Sequence, residues 1–314
     1  MVGQRAKVGI IGAGNVGSTL ARRILELDLA HVVLLDVIPG RTQGLALDLN
    51  QAQAISGNHS TILGTESYAE LAGVDIVVIT AGFPRKPGMS REDLLKINGQ
   101  LVQDITTRAM SQAPNAFLIV VTNPLDVMTH LAWQVSGLGK ERVLGMAGIL
   151  DSARFASFIA AEMGISVRDI RAMVLGGHGD LMVPLPRHTT VNGIPLPELL
   201  PLNAISPLIE RTQNGGAEIV SFLKSGSAYY APAAATAEMV AAILEDQHRI
   251  LPASVYLEGE YGLTEVCMGV PIKLGARGVE QVIELPLTGE ELTALQTSGA
   301  NIRDNIQLLK TMLV

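Results

Sequence analysis

Six residues, Gly12-Ala13-Gly14-Asn15-Val16-Gly17, restrict what this chain can become more than any other stretch of its 314 residues. They follow the apolar run Lys7–Ile11 and open a helix-patterned segment, Val16–Leu27. In that setting G-x-G-x-x-G marks a strand–turn–helix that cradles a dinucleotide. Gly12 and Gly14 let the turn tighten and the backbone approach a pyrophosphate, whose charge meets free N–H groups at the helix N-terminus, and Gly17 lets helix and strand pack closely. Three glycines also suit a plain turn, so the pattern alone leaves the reading open. Asp36 weighs against the plain turn: it ends the second apolar run, 19 residues beyond Gly17. A carboxylate there accepts hydrogen bonds from an adenosine ribose and repels the extra phosphate of NADP. NAD is the expected cofactor, with Arg41 the nearby residue that suits a 2′-phosphate.

The rest of the first half keeps this rhythm. Lys7–Ile11, Val32–Asp36, Ile76–Thr80, Phe117–Val121 and Val143–Gly145 read as strands. The helical stretches Val16–Leu27, Arg41–Ala54, Arg91–Gln112 and Leu125–Val135 lie between them, each long enough for a right-handed crossover. Near Met146 the pattern changes to a helix at Ser152–Met163, a strand at Ile170–Leu175 and short pieces punctuated by Pro184, Pro186, Pro195, Pro197 and Pro201. Ile205–Leu223 and Ala233–Leu244 read as helices, Ile250–Leu257 and Pro271–Leu274 as extended segments, and Gly289–Leu313 as a closing amphipathic helix. The expected class is α/β: an N-terminal Rossmann doubly wound parallel sheet over residues 1–145, and a C-terminal α+β substrate domain over 146–314. Apolar residues make up 48% of the chain and aromatics only 4%, so aliphatic side chains must fill the core, as in a parallel sheet covered by helices. No flexible linker separates the halves, which predicts a packed boundary where a ligand cleft forms.

Charge narrows the partners. A net charge of −7 supplies no basic field for nucleic acid or anionic lipid, so small molecules are expected. The single cysteine, Cys267, rules out an intramolecular disulfide, argues against a thiolate metal site and suits a reducing cytoplasm. The first strand begins at Lys7, and no apolar run approaches the ~20 residues of a membrane span, so a cytoplasmic protein is expected. With 17% charged residues, surface hidden in a homo-oligomer is also expected.

Three segments carry candidate chemistry. His178 lies in Leu175-Gly176-Gly177-His178-Gly179-Asp180, on a glycine loop after a strand. A lone histidine is often structural, yet flanking glycines suggest that other groups approach it closely. An alcohol that loses hydride must also lose a proton, which imidazole accepts near neutral pH. Asp151 and Arg154, three residues apart, share a helix face. Asp151 can bind a histidine N–H while Arg154 offers a fork to a carboxylate; the same spacing also suits a surface ion pair. Ala81–Arg91 joins a strand to a helix at the carboxyl edge of the sheet, with cations at Arg85, Lys86 and Arg91 and glycines at 82 and 88. It reads as a lid over something anionic or as a solvated basic loop. Asn123, ending the next strand, can orient a substrate oxygen or simply mark a turn with Pro124.

Taken in order, Gly-Ala-Gly-Asn-Val-Gly at 12–17, Arg-Lys-Pro-Gly-Met-Ser-Arg at 85–91, Thr-Asn-Pro-Leu-Asp at 122–126, Leu-Asp-Ser-Ala-Arg at 150–154 and Gly-Gly-His-Gly-Asp at 176–180 span almost the whole chain. This set resembles the lactate/malate dehydrogenases, most closely the malate enzymes built on the lactate dehydrogenase pattern. The resemblance implies reversible oxidation of malate to oxaloacetate, a tricarboxylic acid cycle reaction, with NAD and without metal. It implies that His178 exchanges the substrate proton, Asp151 orients it, Arg154 binds the carboxylate beside the reacting carbon and Arg91 polarises the carbonyl. Arg85, where lactate enzymes carry glutamine, would pair with the distal carboxylate, with Lys86 as its alternative. Ala228, within Gly226–Pro232, would line the substrate pocket. Cofactor contacts would come from Gly12, Gly14, Asn15, Val16, Gly17, Asp36, Thr80, Ala81, Gly82, Asn98, Val121 and Asn123, and a tetramer is favoured over a dimer. The alternatives are a lactate or other 2-hydroxyacid dehydrogenase and, more distantly, an NAD-dependent glycoside hydrolase, which would need a metal and a sugar site.

Overall fold

Aliphatic strands joined by crossover helices pair in parallel, because each helix carries the chain back to the end of the sheet at which the previous strand began. The computed structural model, which describes residues 5–84 and 88–313, has this arrangement. Its first half runs β1 (Lys7–Ile11), α1 (Asn15–Glu26), β2 (His31–Leu35), α2 (Arg41–Ser56), β3 (Ile62–Thr65), β4 (Ile76–Ile79), α3 (Arg91–Gln112), β5 (Phe117–Val120), α4 (Leu125–Ser136) and β6 (Val143–Gly145). These six strands lie parallel in the order β3-β2-β1-β4-β5-β6. Ile76–Ile79 of β4 is buried throughout, as expected for a strand covered on both faces. The chain reverses direction across the sheet between β1 and β4, opening the crevice in which open α/β sheets bind ligands.

The second half begins with α5 (Gly148–Met163), β7 (Ile170–Arg171), β8 (Val174–Gly176), β9 (Met182–Pro184), β10 (Thr190–Val191) and β11 (Ile194–Pro195). It continues through α6 (Leu196–Leu199), α7 (Leu202–Leu223), α8 (Tyr230–Leu244), β12 (Arg249–Glu258), β13 (Thr264–Gly275), β14 (Gly278–Val282) and α9 (Gly289–Met312). Its strands pair antiparallel and extend the main sheet as β6-β12-β13-β8-β9. The junction is the pair Gly145–Ser254. A Cβ on Gly145 would stand 2.3 Å from Thr129 Oγ1 and 2.9 Å from Ser254 Cβ, so only glycine lets β12 come this near. The α/β class with an N-terminal Rossmann sheet is as the sequence predicts.

Several local readings change. β3 was not foreseen: Ile-Leu-Gly-Thr is short and broken by Gly64, whose missing Cβ makes room for the carbonyl of Thr42. The single strand expected over Ile170–Leu175 is split, β7 serving a small three-stranded sheet and β8 the main one. Pro271–Leu274 is the end of the 12-residue β13, and Pro271 faces Pro252 of β12, so two residues without N–H groups share one unbonded position of the ladder. α8 starts at Tyr230, three residues before the expected Ala233, because Pro232 is tolerated in a first turn, where its N–H would have no helical partner.

Candidate active site

Glycine geometry shapes the cofactor end. Gly12 has φ +108°, and a Cβ on Gly17 would lie 1.8 Å from the Gly12 carbonyl oxygen, so the turn and α1 can touch only without side chains. Thr80 Oγ1 braces the same carbonyl at 2.9 Å. Gly14 caps α1 with no side-chain hydrogen bond, and nothing lies within 4 Å of a Cβ built on it. That open approach to free helix N–H groups fits a pyrophosphate, with Asn15 exposed and Val16 half-buried behind it. Asp36 closes this end: Oδ2 accepts from Ala13 N at 2.6 Å and Oδ1 from Ile38 N at 3.1 Å. The carboxylate thus shapes the glycine turn and retains further acceptor capacity for a ribose hydroxyl.

The next cofactor candidates form one wall. Asn98, 1% exposed, accepts from Phe83 N at 2.9 Å and donates to the carbonyls of Phe83 and Asn123 at 3.2 and 2.7 Å. Its amide therefore holds the loops after β4 and β5 together. Thr122 Oγ1 donates to Ala81 O at 2.6 Å, and a Cβ on Gly82 would lie 2.7 Å from Thr122 Cγ2. Val121 is buried at the end of β5, and Asn123 is exposed at its mouth.

Across the crevice, α5 carries Asp151 and Arg154 on one face. Asp151 Oδ2 is 2.9 Å from His178 Nδ1, and Oδ1 accepts from Arg154 Nη1 at 3.4 Å. Asp151 is 2% exposed, so this is no surface ion pair. With Nδ1 held, Nε2 is the ring nitrogen left to exchange a proton. Burial opposes charging the His178 ring, but the charge of Asp151 and its hydrogen bond outweigh it, Arg154 opposing and Asp126 assisting, so the pKa lies above the ordinary imidazole value. Arg154 Nε is buried and has no partner among the described residues, a half-satisfied guanidinium of the kind a carboxylate ligand completes.

Arg91 is the first residue of α3, which a capping box between Ser90 and Asp93 starts. Its guanidinium is 82% exposed and pairs with Asp180, two residues past His178, at 3.1 Å. Arg91, Asn123, His178 and Asp180 line one cleft of about 640 Å³, a size suited to a small ligand. Arg85 and Lys86 lie outside the described residues. Ala228 is half-buried in the connection between α7 and α8.

Close approach does not explain every glycine around His178. Gly179 has φ +135° and open space where a Cβ would be, so the backbone path requires it. Gly177 does face neighbours, since its Cβ would meet Ile302 and Ser298 at 3.0 and 3.1 Å. Sequence reasoning passed over Gly215 and Gly216 of α7. A Cβ on Gly215 would press Arg154 Cδ at 3.2 Å, so these residues make space for the guanidinium. Two glycines inside a helix-patterned run were the available signal, because glycine weakens a helix interior. Asp126, part of Thr-Asn-Pro-Leu-Asp, received no role of its own although it is a buried acid among apolar residues. Among the described residues, one group has donor spacing for an ion, Asp246, His248 and Glu280. Glu280 there is already held by Lys273 at 3.0 Å and Arg277 at 3.2 Å.

Comparison with known proteins gives the family. Residues 6–145 match the NAD-binding domain of lactate/malate dehydrogenase, and residues 149–312 match its alpha/beta C-terminal domain. The malate dehydrogenase of Trichormus variabilis is 58% identical over 96% of this chain and 93% of its own. The crystal structure of Cryptosporidium parvum malate dehydrogenase superposes with a TM-score of 0.96 at 41% identity, covering 98% of this chain and all of that one. The lactate dehydrogenase of the same organism, complexed with lactic acid and nicotinamide adenine dinucleotide, superposes with a TM-score of 0.95 at 38% identity, covering 99% of each chain. With its two halves matched in order from residue 6 to residue 312, the chain belongs to the lactate/malate dehydrogenase family.

Proposed function

We infer that the chain catalyses the reversible, NAD-dependent oxidation of (S)-malate to oxaloacetate. The observation that carries this reading is the buried line His178–Asp151–Arg154, with an unpartnered Arg154 Nε among the described residues. Arg154 binds the carboxylate next to C2 and fixes the substrate by its fork. Bound NAD supplies the nicotinamide carbon that takes the C2 hydride. His178 Nε2 accepts the hydroxyl proton as the hydride leaves, and Asp151 stabilises the imidazolium that forms. Arg91 favours negative charge on the substrate oxygen, and Asn123 orients that oxygen. Arg85 holds the distal carboxylate, with Lys86 as the alternative, and Ala228 lines the pocket. The twelve cofactor residues named from the sequence hold NAD, Asp36 disfavouring NADP.

We divide the chain at 145/146 into a cofactor half and a substrate half. We also place it in the cytoplasm, in the tricarboxylic acid cycle, and as a homo-oligomer with a tetramer favoured. No helix among the described residues is long and apolar enough to cross a membrane. Ile55 and Leu47 of α2, 91% and 63% exposed, and Phe222 and Leu202 of α7, 76% and 75% exposed, support burial against further copies. Light scattering on the purified chain tests that assembly.

One assay tests the reaction: NADH absorbance followed with oxaloacetate and with pyruvate in parallel, then with NADPH. Rapid consumption with oxaloacetate and NADH alone is expected. Equal turnover of pyruvate, or none with oxaloacetate, overturns the reading.

A further inference from the structure

A histidine on a glycine loop needs more than a partner for its ring, because the backbone that carries it is otherwise free to wander. In this chain that backbone is gripped from two sides. Gly177 N donates to Ser298 Oγ of α9 at 2.9 Å, and His178 N donates to Asp126 Oδ2 of α4 at 2.8 Å. The second carboxylate oxygen of Asp126 accepts from Ser254 Oγ of β12 at 2.7 Å. Asp126 is 4% exposed and Ser254 fully buried, so these bonds form away from water.

We propose that Asp126 is a positioning residue for His178, fixing its main chain from the first turn of α4 and anchoring it through Ser254 to the strand that joins the two halves of the sheet. The proposal rests on the reading of His178 as the proton-exchanging group. Two carboxylates then serve one histidine: Asp151 sets the ring and Asp126 sets the peptide that bears it. A neutral acceptor would satisfy the same N–H, so the charge calls for a second reason. A buried anion beside the ring favours the imidazolium, and Asp126 is among the groups that raise the proton affinity of His178.

The charged and titratable groups around this pair come from every neighbouring element. Asp151 and Arg154 lie on α5, the buried Cys267 on β13 feels the charge of Asp126, and Arg91 and Asp180 share the cleft with His178. Burial pushes Asp126 itself up to about 6, with the bonds from Ser254 and His178 pulling the other way. Because its folded pKa exceeds the ordinary 3.8, the neutral acid stabilises the fold fully below that value, and the contribution is lost as pH rises through about 6, above which the buried charge opposes folding. Asp126→Asn, which removes the charge and keeps an acceptor, should therefore stay folded above pH 6, which separates a positioning defect from simple unfolding.

Four proteins decide the matter: wild type, Asp126→Asn, Asp126→Ala and His178→Ala, compared in kcat, KM, NADH affinity, thermal midpoint and the pH profile of malate oxidation. Asp126→Ala, which leaves His178 N without its acceptor, should lower kcat by about 10²-fold with NADH affinity unchanged, as expected when a reacting group is misplaced by an ångström. Asp126→Asn keeps an acceptor and removes the charge; its kcat should stay within about tenfold while the pH midpoint moves towards acid. A folded Asp126→Ala with wild-type kcat and an unmoved midpoint overturns the proposal. Should Asp126→Ala fail to fold, a further variant, Ser254→Ala, decides: a kcat lowered several-fold with NADH affinity unchanged supports the anchored position of Asp126, and a wild-type kcat overturns it. His178→Ala keeps the two questions apart. If it stays active, the reading of His178 itself falls; if it is inactive while the Asp126 variants behave as wild type, only the positioning role falls.

Discussion

Asp151 Oδ2 stands 2.9 Å from His178 Nδ1, and the two side chains are 2% and 15% exposed. A carboxylate this well sealed fixes one ring orientation and stabilises the charged ring. Asp151→Asn should therefore lower kcat/KM for oxaloacetate by about 10²–10⁴-fold, comparable to the loss when the aspartate of a catalytic triad is neutralised. Steady-state kinetics at several pH values checks this, with NADH binding expected to stay near wild type.

The same geometry fixes the sign of the pH dependence. In the proposed mechanism malate oxidation needs His178 neutral, so its kcat/KM should fall as pH drops through the His178 pKa. Oxaloacetate reduction needs the ring protonated and should fall as pH rises through it. With that pKa raised by Asp151, both turning points should lie above the ordinary imidazole range. Profiles measured in both directions on one preparation would show it, and a single shared trend would contradict it.

Arg154 should be irreplaceable by a point charge. Losing two charge-assisted bonds to the carboxylate of the proposed substrate would remove about 3–6 kcal/mol, so Arg154→Ala should lose at least about 10²-fold in kcat/KM. Arg154→Lys should recover only part, because an ammonium cannot reproduce the fork. Gly215→Ala, which presses on the same side chain, should raise KM for oxaloacetate without touching NADH affinity.

Two glycines of the cofactor turn should fail in different ways. Gly17→Ala forces a Cβ to within 1.8 Å of the Gly12 carbonyl, and the overpacking should cost about 1–3 kcal/mol and lower the thermal midpoint by several degrees. Gly14→Ala meets nothing within 4 Å, so its midpoint should match wild type while NADH affinity falls by about tenfold or more. Calorimetry beside NADH titration separates the two.

Arg85→Gln should reduce oxaloacetate turnover and raise pyruvate turnover. Lys86→Gln is the comparison that shows which cation meets the distal carboxylate. Discrimination by orders of magnitude is expected when a buried charge loses its only partner.

The first half of the fold was legible because β1, β2, β4 and β5 are continuous apolar runs, and the glycine turn fixed what lay between the first two. β3 escaped because Gly64 interrupts four residues at a sheet edge, where little burial is needed to hold a strand. β7 and β8 looked continuous because the break at Ala172-Met173 has no proline or glycine to mark it. At the site, residue type and spacing brought out Asp151, Arg154 and His178. Pairings that depend on the tertiary fold stayed hidden: Asp126 with His178, Ser254 with Asp126, and Arg91 with Asp180 are 52, 128 and 89 residues apart. Asn98 was legible as a residue of the wall, whereas its service to Phe83 and Asn123 was not.

The pairing of Gly145 with Ser254 has a mechanical consequence. A sheet that passes unbroken from one half of a protein to the other resists bending at the point of passage, and here glycine, Thr129 and Ser254 are wedged together at that point. Clamshell opening about this seam would tear the ladder. Substrate entry is thus left to loops and side chains at the rim, and heating should melt both halves in one cooperative step.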